Sequence, residues 1–459
     1  MIKIMGKNTA KIKRAFIILP VYFLVQLFFS CATKPVLYRE TEAAVYTADF
    51  TAALEALVRG QSGRNPVYPP GNAISLYLDK GLLEHYAGNY AASSSDLQFA
   101  ERLMEEAYTK SITGNFFSYI INDNTKEYPG EDFENIYLSV FNALNYYKTG
   151  SLEGALVEIR KLSATGGKLD MLSRKYEYAD PHGNKIGDIL HRETGIHDLP
   201  QTLSVNFSNS ALARFLGALF YQGIGNTDAA NLEFAQVYRA FGTNRNIYRH
   251  SFPASVEQAR NVPSDKARLN IITFTGLSPV KKETVVNHFL PFRHPVLRIG
   301  FFKLPALERR NSIITRIEVV VNGTDKFDLE LLEDMGVVIE ETFKARYSNI
   351  LLKTYIRTIL KYAAADISAA ETARQRGEGA AFLVALAART AMDASESADI
   401  RMSRYFPRRA YIGGINLDPG TYSVIINYYH GSEIINRDEY NNVVVSRTGL
   451  NLLESINLR

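Results

Sequence analysis

Apolar positions follow two rhythms along this chain. From residue 41 to about 262 they recur at helical spacing, three or four residues apart. From about 266 they alternate one by one, as in half-buried strands. Within the helical part, three stretches can be laid over one another on a glycine turn: Gly88-Asn89, Gly150-Ser151 and Gly225-Asn226. Seven residues before each glycine stands a small residue (Gly81, Ala143, Ala218). Five after it stands another (Ser93, Ala155, Ala230), and nine after it a large apolar one (Leu97, Ile159, Phe234). Four before it is Tyr146 or Tyr221 in two copies and Glu84 in the first. Helices approach closely only where side chains are small, and a left-handed glycine ends the first helix of a pair. The pattern therefore predicts antiparallel helical hairpins. A fourth, partial copy is expected at "YTADFTAALEAL", with Phe50, Ala53 and Leu57 in the matching places.

This spacing resembles the tetratricopeptide repeat, a helix–turn–helix unit of about 34 residues. Here Gly88, Gly150 and Gly225 stand about twice as far apart as that period, so other helices or inserts separate the copies and no uniform superhelix is expected. "NDNTKEYPGED" (122–132) and "EYADPHGNKIGD" (177–188) read as polar loops.

After "NVPSDKAR" (261–268) the strand-like segments are "LNIITFTG", "PVLRIGFF", "IITRIEVVVNG" and "KFDLELL". Helical sequence returns over about 334–362, and a second helix is expected over about 366–396. Its stretch "GAAFLVALAARTAM" (379–392) is too short to span a bilayer and reads as a buried helix. Strands resume with "RRAYIGGINL", "TYSVIINYY", "SEIINRDE", "YNNVVVSR" and "LNLLESINLR", with "DPG" at 418–420 as a turn. The expected fold class is α+β. A helical hairpin domain (41–262) precedes a β-rich domain (263–459), an antiparallel, sandwich-like body with the helical pair at about 334–396 as an insertion.

The chain before residue 41 follows neither rhythm. Lys3, Lys7, Lys11, Lys13 and Arg14 precede an apolar run from Ala15 to Phe29, with no acidic residue before Cys31. Basic start, short apolar run and small exit residue Ser30 describe a secretory signal peptide over 1–30. Cys31 is the only cysteine of 459 residues and cannot form an internal disulfide. The segment resembles a bacterial lipobox, although Phe28 and Phe29 are bulkier than usual. The resemblance implies that Cys31 is acylated and becomes the first residue of the mature chain, with 31–40 as a linker. More than one acyl chain is needed for stable anchoring. The leader also changes the charge picture. Five of the 52 basic residues lie in it, leaving 47 against 48 acidic ones, so the formal +4 becomes −1 and no basic stripe points to nucleic acid.

Candidate chemistry is sparse. No phosphate-binding GxxxxGK[ST], HExxH or GxSxG pattern occurs, and the sole cysteine is committed to the anchor. His191 and His197, with Glu193 and Asp198, are too far apart to share a helix face and read as loop residues. "RGEGAAF" (376–382) lacks a preceding strand and is no dinucleotide site. No cofactor and no metal are expected. In "ADIRMSRYFPRRAYIGGINLDPGTYSV" (398–424), Asp399, Arg401 and Arg404 precede Pro407. They read either as a polar binding surface or, favoured, as a pair pinning a helix exit to the sheet.

"NALNYYKTGSLEGALVEIRKL" (142–162), "SNSALARFLGALFY" (208–221), "ADIRMSRYFP" and "LDPGTYSV" together resemble a family of bacterial tetratricopeptide-like envelope lipoproteins that has no assigned activity. The resemblance implies location and class but no catalytic residues. The expected function is a lipid-anchored periplasmic scaffold or adaptor that binds other envelope proteins, with Tyr86, Tyr147 and Tyr221 as candidate contacts. Ala32 after the cysteine, where Asp would retain a lipoprotein in the inner membrane of many bacteria, implies the outer membrane. The alternative is an enzyme acting on envelope polymers, which two close carboxylates of raised pKa in a cleft would favour.

Overall fold

Each of the three glycines sits at positive φ (Gly88 +84°, Gly150 +86°, Gly225 +76°), as the sequence pattern requires. The computed structural model describes residues 38–112, 127–163, 167–177, 207, 209–289 and 295–459. The leader, Cys31 and the His191–Asp198 cluster lie outside the described residues. At each glycine the helix closes by the same pair of main-chain bonds. Asn89, Ser151 and Asn226 donate to the carbonyls of Glu84, Tyr146 and Tyr221 at 2.8, 2.8 and 2.9 Å. The glycine N–H groups donate to His85, Tyr147 and Gln222 at 3.0, 3.0 and 2.9 Å. Two otherwise orphaned carbonyls are satisfied at each helix end.

The same closure occurs a fourth time without glycine. Ala48 stands at φ +59°, Asp49 N–H donates to Ala44 O at 3.0 Å and Ala48 N–H to Val45 O at 3.1 Å. An L side chain at positive φ is strained. Ala48→Gly is expected to raise the unfolding free energy by about 1 kcal/mol, read from the midpoint of urea denaturation at unchanged slope.

These closures define four hairpins: α1 (Arg39–Tyr46) with α2 (Phe50–Gln61), α3 (Ala73–Tyr86) with α4 (Tyr90–Ile112), α5 (Asp132–Lys148) with α6 (Leu152–Ser163), and α8 (Ala211–Gly223) with α9 (Thr227–Thr243). The short helices α7 (Lys168–Glu177) and α10 (Ala254–Arg260) complete the set. The hairpins pack in series, α2 on α3, α4 on α5 and α6 on α8. Small residues set the approach. A Cβ on Gly81 would meet Leu97 at 2.8 Å, and Ala143, Ala155, Ala218 and Ala230 are buried.

The strands are β1 (Ala267–Leu277), β2 (Val280–Phe289), β3 (Ile299–Glu308), β4 (Arg316–Val321), β5 (Asp325–Asp328), β6 (Glu330–Asp334), β7 (Pro407–Leu417), β8 (Gly420–His430), β9 (Glu433–Val445) and β10 (Asn451–Asn457). They form a sheet of order β10-β1-β7-β6, a second of order β5-β4-β8-β9, and the separate hairpin β2–β3. The fold is thus α+β with several antiparallel pairings. One pairing departs from the antiparallel expectation. β10 runs parallel to β1, Leu269 opposite Asn451 through Thr275 opposite Asn457. Alternation fixes which side chains face the core but carries no information about the direction of the neighbouring strand.

β1 is buried on both faces. Its even-numbered residues Ile272 and Phe274 join one core with the helices. Leu269 and Ile271 join a second core with Val319, Val424, Ile426 and Tyr428 of the other sheet. Between β6 and β7 lie α11 (Met335–Arg376) and α12 (Glu378–Ser395). The break falls at Gly377, φ +86°, later than the sequence suggests, because "YAAADISAAETARQR" holds no residue that stops a helix. α12 packs on α11 by an alanine stripe: Ala381 and Ala385 are buried while Leu383 and Leu386 are exposed. The expectation of a wholly buried helix is corrected, since small residues need only one face. Among the described residues no helix is long and apolar enough to cross a membrane.

Candidate functional site

The first helices of the hairpins would line the groove of a repeat array. In this chain that face is filled by the chain itself. Phe141 of α5 packs on Phe274 of β1 (5.0 Å between centroids), and Phe133 on Phe406 (5.8 Å). The segment 398–406, between α12 and β7, is neither helix nor strand. Its peptide groups therefore need partners from elsewhere, and the helices supply them.

Asp79 of α3 is fully buried. Its Oδ1 accepts from Ser403 Oγ at 2.5 Å, Arg404 N–H at 2.8 Å and Tyr405 N–H at 3.2 Å, and its Oδ2 accepts from the Tyr68 hydroxyl. Glu134 of α5 is also fully buried. Its Oε1 accepts from Ser403 N–H at 2.5 Å, and its Oε2 from the Tyr128 hydroxyl at 2.8 Å and Glu131 N–H at 2.7 Å. The carbonyls of the segment are taken as well. Lys281 Nζ donates to Arg401 O at 3.3 Å, Arg310 to Arg404 O, and the Tyr86 hydroxyl to Tyr405 O at 2.9 Å. Burial raises Asp79 to about 6, against the four donors and Arg404 that hold it down. Burial, then the like charge of Glu131, raises Glu134 to about 7.

The charged residues singled out in the sequence frame this clamp. Asp399 and Arg401 form a two-pronged pair (both 2.8 Å), and Arg401 also donates to Gly71 O at 3.2 Å. Arg404 grips Glu42 of α1 at 2.6 and 3.0 Å and lies 4.1 Å from the Tyr38 ring centre. They tie the segment to Gly71 and to Glu42 of α1, on the helical side, rather than pinning a helix exit to the sheet.

Two further buried carboxylates join the layers. Glu333 at the end of β6 accepts from Tyr137 (2.7 Å), Tyr248 (2.6 Å), Ser210 (3.0 Å) and Leu212 N–H (3.1 Å), and burial raises its pKa. Glu454 of β10 faces His85 Nε2 at 2.8 Å and Lys148 Nζ at 3.4 Å. Burial alone would raise it, but these two cations outweigh burial and hold it at about 2. His85 Nδ1 faces Asn145 Oδ1 at 2.6 Å, while the Asn145 amide donates to Ser93. Both ring nitrogens thus face side-chain oxygens, which hold the imidazole ring in place from either side.

The candidate contact tyrosines are not brought together as a groove surface. Tyr86 is 9% exposed and its hydroxyl is taken by Tyr405 O; this corrects its reading as a contact. Tyr147 is half-buried, with its hydroxyl on Leu450 O at 3.1 Å and accepting from Leu452 N–H at 3.1 Å. Tyr221 packs half-buried against the same core. Their inward direction follows from the sheet they cover. The residues that sequence reasoning missed are Asp79, Glu134 and Glu454; Glu333, which beside Glu330 and Asp334 reads as a helix-start or solvated charge, is instead fully buried. The signal to be found was a lone carboxylate within an apolar stretch, as in "AISLYLDKGLL", "FENIYLSVF" and "LNLLESINL".

All four carboxylates are enclosed, with oxygens bonded to donors of the same chain. Among the described residues no group of three or more His, Cys, Asp or Glu is placed to hold a metal ion. No family model, curated protein or solved structure matches the chain.

Proposed function

We propose that this chain is a lipid-anchored protein of the bacterial envelope, held by Cys31 in the outer membrane on the periplasmic side, and that it acts as a scaffold binding other envelope proteins. In this reading the four hairpins are tetratricopeptide-like units, and the two larger sheets form the sandwich they pack against. The observation that carries the proposal is the serial stack of hairpins closed by one recurring turn. Stacked hairpins present extended surfaces to partners.

The inner face is taken by the chain's own sheet, so partner binding falls to the outer row of second helices. There Val157 of α6 and Leu232 of α9 hold equivalent places, seven residues after their glycines, and are 50% and 62% exposed. A photoactivatable cross-linker placed at 157 or 232 in intact cells should give a discrete adduct with an envelope protein, and none when placed at buried Tyr137. Adducts at neither position, together with turnover of a glycan or peptide substrate by the whole protein, would move the chain to the enzyme class. The tether has its own test. Cys31→Ser should abolish acyl labelling and release the protein from the membrane fraction; unchanged labelling would remove the anchor from the proposal.

A further inference from the structure

Asp79 and Glu134 share an arrangement that packing alone does not require. Each lies wholly inside the core on a first helix of a hairpin. Asp79 holds the Arg404 and Tyr405 N–H groups and Glu134 the Ser403 N–H of the same short segment, and each carries a tyrosine hydroxyl on its other oxygen, which in Glu134 also takes Glu131 N–H. The peptide donors are fixed in direction. The hydroxyls of Tyr68 and Tyr128 are not: a phenol oxygen donates to a carboxylate and accepts from a carboxylic acid. We propose that Asp79–Tyr68 and Glu134–Tyr128 form a two-proton clamp on Ser403–Tyr405 that holds the α12–β7 connection more tightly as the surroundings acidify.

In the ionised clamp both tyrosines donate. On proton uptake the new O–H of each acid points at the tyrosine oxygen, and the oxygen facing residues 403–405 keeps accepting from them. No main-chain bond to that segment is given up, and two charges are removed from a fully buried site. Among the described residues, charged and titratable groups stand around both carboxylates. Around Asp79 stand Arg404 with its partner Glu42, and Tyr38, Tyr86 and Tyr405. Around Glu134 stand Glu131, which is already engaged by Lys281 of β2 and Arg346 of α11, and Asp399, which is paired with Arg401. Among the described residues no cation pairs directly with Glu134, and Arg404, which acts on Asp79, is shared with Glu42.

The direction follows from linkage. Both groups bind protons more strongly when folded (about 6 against an ordinary 3.8, about 7 against 4.5). The folded chain therefore takes up protons between pH 8 and 5, and stability grows as pH falls through that window and is lost as it rises.

The test uses the whole chain in detergent. Its thermal midpoint should climb by roughly 5 °C or more from pH 8 to pH 5. Asp79→Asn with Glu134→Gln, which fixes both sites in the neutral form, should show less than half that climb and a midpoint at pH 8 no lower than the parent's. Hydrogen exchange on the unsubstituted chain gives a reading that needs no variant. The amides of 403–405, corrected for intrinsic rate, should be at least as protected at pH 5 as at pH 8. A double variant with the parent's full climb would overturn the clamp. So would loss of protection over 398–406 on acidification, which also decides the matter if the double variant does not fold.

Discussion

Residues 38–262 produced without the rest of the chain will not give a cooperatively folded protein. The hairpins stack well on one another, but their inner face is made of Phe133, Tyr137, Phe141 and Phe220, whose core also contains Phe274, Phe406, Ile412 and Leu452. Removing the sheet exposes those rings to water at a cost of about 1.5–3 kcal/mol each. It also strands Asp79, Glu134 and His85, whose partners are Ser403–Tyr405 and Glu454. A fragment whose net stability is only about 5–15 kcal/mol at best does not survive such losses. Circular dichroism should show helix without a sharp thermal transition, and a dye for exposed apolar surface should bind. A sharp transition near that of the whole chain would show instead that the hairpins are self-sufficient.

Glu454→Ala is the single substitution expected to cost most, about 3–5 kcal/mol, because it removes the buried carboxylate that answers the half-buried Lys148 ammonium and takes the hydrogen-bond partner from buried His85. Urea denaturation at pH 7 measures it. The acid side gives a second signature. Glu454 is held at about 2, below its ordinary 4.5, so its contribution is present above pH 4.5 and is lost as pH falls towards 2. The variant should lack that part of the acid loss, and its stability should approach the parent's at low pH. Equal losses at pH 7 and pH 3 would mean that the effect is a cavity rather than a charge.

The helical hairpins were legible because a turn at positive φ needs glycine and a close helix contact needs a small residue; both are written in residue type. The fourth closure was harder to read, since Ala48 carries the turn through main-chain bonds that any residue can make. The helical pair α11 and α12 was visible as helical sequence, but the sequence suggests its break at about 362–366 and not at Gly377. The strand partners were not, because the parallel pairing of β1 with β10 joins 269–275 to 451–457, stretches remote in sequence that share no local signal. The clamp was half visible. Asp399, Arg401 and Arg404 stood out as charges beside a proline, but their segment is held by Asp79 and Glu134, carboxylates from the other half of the chain. A buried acid in an apolar helix marks a polar debt without naming the creditor.

The parallel seating of β10 beside β1 also sets an order of events in synthesis. β1 cannot be covered on that edge, nor His85 Nε2 given its partner Glu454, until residues 451–457 have emerged. Contacts this remote in sequence form late and slowly. Hairpins made early must wait with their aromatic face open, the state in which long chains are most prone to associate wrongly. The same delay leaves the open edge of β1 without its parallel neighbour until residues 451–457 are made.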